Sequence, residues 1–156
     1  MGRWSREELE EGFENYQRVA LECGPAQSWD PFVDLFTQDC VYLDHPRGVI
    51  GGREALRRHY RGLFTSFPHT HLTYYPVEWY MVDEERGWIS CLFHLRMADP
   101  GDGSIHQVPC FGLLKYAGRG LWKCEEDMYD VSALVAMFER WTEDKRRCDA
   151  QAAARG

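Results

Sequence analysis

Two short acidic stretches carry side chains able to move protons: Tyr42-Leu43-Asp44-His45-Pro46 and Glu125-Glu126-Asp127-Met128-Tyr129. Both read as strands, where alternate side chains share a face. Tyr42 therefore lies with Asp44, opposite Val41 and Leu43. Glu125, Asp127 and Tyr129 lie together, opposite Glu126 and Met128. A carboxylate turned into a ring-lined interior loses hydration, holds its proton more tightly and becomes a better base near neutrality. Two acids on one inner face share a proton and form a donor–acceptor pair suited to proton shuttling. The opposite parity leaves the second stretch on a solvated face; the inward arrangement is the expectation.

These strands need elements to position them. Ser5 with Glu8 three residues on has the spacing of a capping box. Leu9, Phe13, Tyr16, Ala20 and Leu21 follow at helical spacing, up to Gly24-Pro25. A second short helix begins near Ser28 and carries Trp29, Phe32, Val33, Leu35 and Phe36. A strand at 39–44 closes at His45-Pro46-Arg47-Gly48. Gly51-Gly52-Arg53-Glu54 opens a third helix with Leu56, His59, Tyr60 and Leu63, stopped at Phe67-Pro68. From 71 to 129 the chain alternates and turns: strands at 71–82, 88–97, 104–116 and 121–129, with strong turn chemistry at Asp99-Pro100-Gly101-Asp102-Gly103. Asp130-Val131-Ser132 starts a last helix. Helices, then a run of strands, then a helix indicate an α+β domain over 1–145, with a polar, frayed tail at 146–156.

Composition narrows the partners. The chain has 156 residues, 14% of them aromatic, and a net charge of −7. That charge disfavours nucleic acid and anionic membrane surfaces as partners. The first residues lack the apolar stretch of a signal peptide and no run is long enough to span a membrane, so a cytoplasmic protein is expected. The six cysteines show no Cys-x-x-Cys pair and read as buried thiols. No helix offers two histidines at i, i+4, and no glycine-rich turn joins a strand to a helix. Neither a metal nor a nucleotide cofactor is expected.

The order of these segments resembles the nuclear transport factor 2-like superfamily, in particular its SnoaL-like group. That group takes in polyketide cyclases, ketosteroid isomerase, scytalone dehydratase and limonene-epoxide hydrolase. The resemblance rests on the Trp29-to-Phe36 helix leading into Tyr42-Leu43-Asp44-His45-Pro46, then Gly51-Gly52-Arg53-Glu54-Ala55-Leu56, then Leu121-Trp122 through Tyr129-Asp130. It implies a cone-shaped domain: N-terminal helices packed in a strongly curved, mainly antiparallel sheet, one pocket, and often a homodimer through the outer sheet face.

The resemblance also distributes roles. Asp44 lies close to the isomerase's base, although alignment on Pro46 puts His45 there instead. Tyr16 matches the isomerase's tyrosine donor. Asp127 falls where the epoxide hydrolase has an Asp of its catalytic set, with Glu125 at that enzyme's Trp position. His69 and His71 bracket the entrance to the sheet, near where the dehydratase has a catalytic His. Two departures matter. Gly112 stands where the isomerase holds its protonated Asp, and Cys91 and Phe93 replace the hydrolase's Arg-x-Asp.

These readings combine into a cofactor-independent enzyme acting on a hydrophobic, oxygenated small molecule by dehydration, cyclisation or isomerisation. The proton-moving set is Asp44, Asp127 and Tyr16, with His45, His71 or His106 as relay. The wall and substrate contacts are Tyr42, Trp29, Phe32, Tyr60, Trp79, Phe93, His106, Cys110 and Tyr129. The alternatives are a non-catalytic binding module with the same pocket, an epoxide hydrolase, or an interaction subunit working through an outer face that carries His94 and Arg96.

Overall fold

The computed structural model describes residues 2–156. Helix α1 (Arg6–Ala26) starts where Ser5 accepts a hydrogen bond from the Glu8 amide at 3.1 Å. It runs through Pro25 and ends only when Gln27 adopts a left-handed conformation at φ 52°. The stop therefore falls beyond Gly24-Pro25. Gly24 serves a different purpose: a Cβ there would lie 1.8 Å from the Thr73 carbonyl, so its absence lets α1 sit directly on a strand. Leu9, Phe13 and Ala20 are buried as their spacing requires, while Leu21 points to solvent.

After the single-turn α2 (Asp30–Val33) come β1 (Phe36–Asp44), β2 (Gly48–Gly51) and α3 (Arg53–Leu63). The short β2 folds back on β1, pairing Tyr42 with Ile50 and Asp44 with Gly48. The stretch at 71–82 is not one strand. His69–His71 forms a 3-10 turn, followed by β3 (Leu72–Tyr74) and β4 (Val77–Asp83), both on the same neighbour. The break falls at Tyr75-Pro76, where proline has no amide to donate to a ladder. Next come β5 (Trp88–Met97), β6 (Gln107–Gly118), β7 (Leu121–Met128) and α4 (Val131–Arg155).

The sheet order is β2-β1-β7-β6-β5-β3, with β4 also on β5. Every pairing is antiparallel except β1 with β7, which is parallel and sets Tyr42 beside Glu125 and Asp44 beside Asp127. Register shifts in β1, β4 and β6 bend the strands, as bulges do. The result is a strongly curled sheet whose concave side takes α1 and α3.

Strict alternation along β5 shows which side is which: Ile89, Cys91, Phe93, Leu95 and Met97 are buried. Trp122, Trp141, Phe13 and Phe36 are fully buried, each stabilising the fold by about 1.5–3 kcal/mol. Residues 146–155 continue α4 as helix. Arg147 pairs with Asp102 at 2.6 Å, and Trp141 Nε1 donates to the Ala98 carbonyl at 2.7 Å. Among the described residues no helix is long and apolar enough to cross a membrane.

Candidate active site

The concave face leaves one ring-lined pocket between α1, α2, α3 and the sheet. The space in which a water-sized molecule can be centred is about 90 Å³, and the atom-free space of the whole funnel, open mouth included, is about 870 Å³. Tyr16, Trp29, Phe32, Tyr42, Tyr60, Phe93, Cys110 and Tyr129 line it, together with Asp44 and Asp127.

The polar floor is built by β7 and closed from two sides. Glu125 and Asp127, two residues apart on the inner face, are 2% and 6% exposed. The Tyr16 hydroxyl, reaching from α1, donates to Glu125 Oε1 at 2.7 Å. The Tyr42 hydroxyl, from the parallel neighbour β1, donates to Asp127 Oδ2 at 2.6 Å, and the Tyr60 hydroxyl backs Tyr42 at 3.3 Å. Glu125 Oε2 and Asp127 Oδ1 are buried with no other protein donor.

Burial, and then the charge on Asp127, hold the Glu125 carboxyl well above the usual range, which favours its protonated form. Burial pushes Asp127 up to about 7, against the pull of the Tyr42 hydrogen bond. Burial likewise raises the hydroxyls of Tyr16, Tyr42 and Tyr60, which stay protonated donors. The floor thus sets two acids of raised proton affinity side by side, framed by tyrosine hydroxyls, an arrangement able to give a proton at one point while taking one at another.

Asp44 sits farther out, 7% exposed. It accepts from the Tyr129 hydroxyl at 3.1 Å, and Arg47 Nε stands 3.6 Å away. Arg47 Nη2 also contacts His69 Nε2 at 3.3 Å. Burial and then the Arg47 charge depress both His59 and His69, which line the mouth.

Four expected site residues lie elsewhere. His45 turns outward in the β1–β2 turn and pairs with Glu126 at 3.0 Å, so the register about Pro46 resolves with Asp44 inside. His71 belongs to the 3-10 turn and packs on Trp141, 4.9 Å between ring centres. Trp79 is 38% exposed and packs on Phe111, because the bulge between Val77 and Trp79 flips the parity of β4. His106 precedes β6 and ties α4 to the sheet through Asp144 at 3.0 Å. Ser104 and Asp144 both contact the same ring nitrogen of His106, which is not a relay arrangement.

Sequence reasoning overlooked Arg47 and Tyr75 as pocket groups, gave His59 no place in the site, and took His69 no further than its likeness to the dehydratase's histidine. Each belongs to a turn, helix edge or strand break whose direction only the folded chain sets. Among the described residues no three His, Cys, Asp or Glu side chains converge as a metal site requires. Cys91 and Cys110 line the pocket with thiols raised by burial, and serve as apolar wall.

Solved structures share this architecture at low identity, which shows the fold alone. A putative SnoaL-like polyketide cyclase from Jannaschia sp. CCS1 is 18% identical, with 88% of this chain and 97% of that one covered and a TM-score of 0.65. SalBIII, described as an epoxide hydrolase/cyclase-like enzyme in pyran ring formation in the polyether salinomycin, is 14% identical (83% and 95% covered, TM-score 0.63). A protein with a ketosteroid isomerase-like fold from Catenulispora acidiphila DSM 44928, in complex with trimethylamine, is 17% identical (83% and 92% covered, TM-score 0.63). No curated protein matches the sequence. The SnoaL-like domain model matches residues 15–122, more than half of the chain, and the protein therefore belongs to the SnoaL-like family.

Proposed function

We propose that the protein is a cofactor-independent acid/base enzyme acting on a small, hydrophobic, oxygenated molecule. The observation that carries this reading is the buried Glu125–Asp127 pair, each acid accepting a hydrogen bond from a tyrosine hydroxyl. Asp127 takes a proton from a carbon beside a carbonyl, or from an attacking hydroxyl. Glu125 gives its proton to the oxygen that leaves or opens. In a dehydration the substrate loses a C–H proton to Asp127 and a hydroxyl, protonated by Glu125, as water, with a carbon–carbon double bond left behind. The pair ends with one proton still shared and its roles exchanged, and a shift of that proton restores the start. Asp44, held by Tyr129 and near Arg47, orients the substrate at the mouth. The cyclase and epoxide hydrolase/cyclase-like descriptions of the fold neighbours are compatible with the same pairing.

The test is deuterium exchange into cyclic ketones in D₂O, followed by proton NMR. The wild type accelerates exchange over buffer and Glu125→Gln loses about a hundredfold or more of that acceleration, the usual share of a general acid or base. Equal rates in the two proteins overturn the proposal and leave a binding module of the same fold. On the convex side Trp79 (β4), Phe111 (β6) and Met128 (β7) are exposed, Phe111 in register with Met128 and 5.9 Å between ring centres from Trp79. This apolar patch supports a homodimer through the outer sheet face. Phe111→Asp then halves the mass seen by sedimentation, and an unchanged mass sinks the dimer.

A further inference from the structure

We infer that the mouth of the pocket binds a carboxylate on the outer end of the substrate, held by the Arg47 guanidinium. This deepens the acid/base reading and rests on it for the other end of the molecule, the oxygen that meets Glu125 and Asp127.

Three elements bring polar groups to this rim. Arg47 stands in the β1–β2 turn, His59 lies on α3 and His69 opens the 3-10 turn before β3. All three line the pocket, and Arg47 is the only Arg or Lys among the described residues that do. Elsewhere in the molecule an arginine beside an acid closes on it: Arg57 on Asp34 at 2.7 Å, Arg86 on Asp83 at 2.9 Å, Arg147 on Asp102 at 2.6 Å. Arg47 does not. Its Nε stays 3.6 Å from Asp44 Oδ2, while Asp44 takes the Tyr129 hydroxyl at 3.1 Å. Its Nη2 donates to His69 Nε2 at 3.3 Å, a long contact to an imidazole. A guanidinium can only donate, so that nitrogen of His69 carries no proton and the ring is uncharged. Burial, and then the Arg47 charge, favour the same neutral form in His69 and His59. The rim therefore offers one fork of five N–H groups without a close anionic partner, beside two rings that add no second charge.

A carboxylate suits this cradle, because its two oxygens match the planar fork. Asp44 does not have to leave: Arg57 serves Asp34 and Glu54 at the same time. A single cation with an acid already beside it suits one negative charge better than the two of a phosphate. The pairing of β1 with β7 sets the reach. Asp44 lies beside Asp127, and Tyr129, the residue that holds Asp44, is two positions farther out, roughly 7 Å at the rise of a strand. The substrate class is then an oxo or hydroxy acid whose oxygen and carboxylate are several carbons apart.

Calorimetric binding of 4-oxocyclohexanecarboxylate and 6-oxoheptanoate, each against its primary amide, tests the inference. The wild type should bind each acid about tenfold or more tighter than its amide, as a hydrogen bond to a charged group warrants. That preference should shrink as salt is raised. Arg47 is 36% exposed in a turn, so Arg47→Gln should keep the fold. In that variant acid and amide should come within about twofold, with the amides bound as before. An amide that binds the wild type as well as its acid, or an acid preference that survives Arg47→Gln, overturns the inference. So does loss of the amides together with the acids in that variant, or no binding by any of the four. Glu125→Gln separates the two proposals, because it should keep the acid preference while losing deuterium exchange. A wild type that prefers the acids yet exchanges no deuterium sinks the acid/base reading and leaves the carboxylate site standing.

Discussion

Glu125 and Glu126 are identical residues joined by one peptide bond, on opposite sides of the same strand. Glu125 is buried, bonded to Tyr16 and beside a second acid. Glu126 stands on the convex side, 34% exposed, paired with His45. The pleat alone separates them, and the curl of the sheet makes the separation matter: one side closes into a ring-lined hollow and the other opens to water. A carboxylate gains altered chemistry here from its face and from nothing in its covalent structure.

The contrast is open to attack in order of expected effect. Glu125→Gln should cost about a hundredfold or more in ketone exchange, while Glu126→Gln stays within about twofold; equal losses erase the distinction between the two faces.

The next effect is on stability. Asp127 has a folded-state pKa of about 7, well above its ordinary value. Between those values the folded protein holds more protons than the unfolded chain, so stability falls as pH rises from about 4 to 7. The fall attributable to this group is on the order of 4 kcal/mol. Glu125, also held protonated, adds to the decline. Urea titrations across that range should show it in the wild type and not in a Glu125→Gln, Asp127→Asn double variant. A flat wild-type profile breaks the account of the floor.

A smaller effect is expected at Gly112, in the middle of β6. A Cβ there would meet Phe93 at 3.0 Å, Cys91 Sγ at 3.2 Å and Asp127 Oδ1 at 3.4 Å. Gly112→Ala should cost about 1–3 kcal/mol, the usual range for overpacking, and should move the carboxyl titration seen by carbon NMR. An unmoved titration makes the glycine a packing residue only. Smallest of all, loss of the Glu126–His45 pair through Glu126→Gln should change stability by about 0–1 kcal/mol, as for other partly exposed ion pairs.

Much of this floor could be read from the chain. Period-two alternation placed Glu125 and Asp127 together, and helical spacing put Tyr16 on the same side as Phe13, because both rules depend only on local geometry. Where the geometry is broken, the reading failed. The bulge after Val77 reversed Trp79, and Pro76 split one expected strand into two. The four-residue β2 hid between glycines that read as loop, and with it the reason Arg47 reaches the mouth. His106 and His71 looked like strand residues but lie just outside strands, where a side chain's direction follows the turn and not the pleat. The parallel pairing of β1 with β7 left no local mark at all.

That pairing has a consequence for how the protein comes to exist. Tyr42 and its acceptor Asp127 are 85 residues apart, and the strands bearing them lie toward opposite ends of the sequence. Contacts so distant along a chain close slowly, after local hairpins have formed. A nascent or clipped polypeptide lacking β7 has neither Glu125 nor Asp127 and leaves β1 paired only with β2, and a molecule with that junction unzipped has hairpins and helices but no floor. The chemistry is thus withheld until the two ends of the sequence have met.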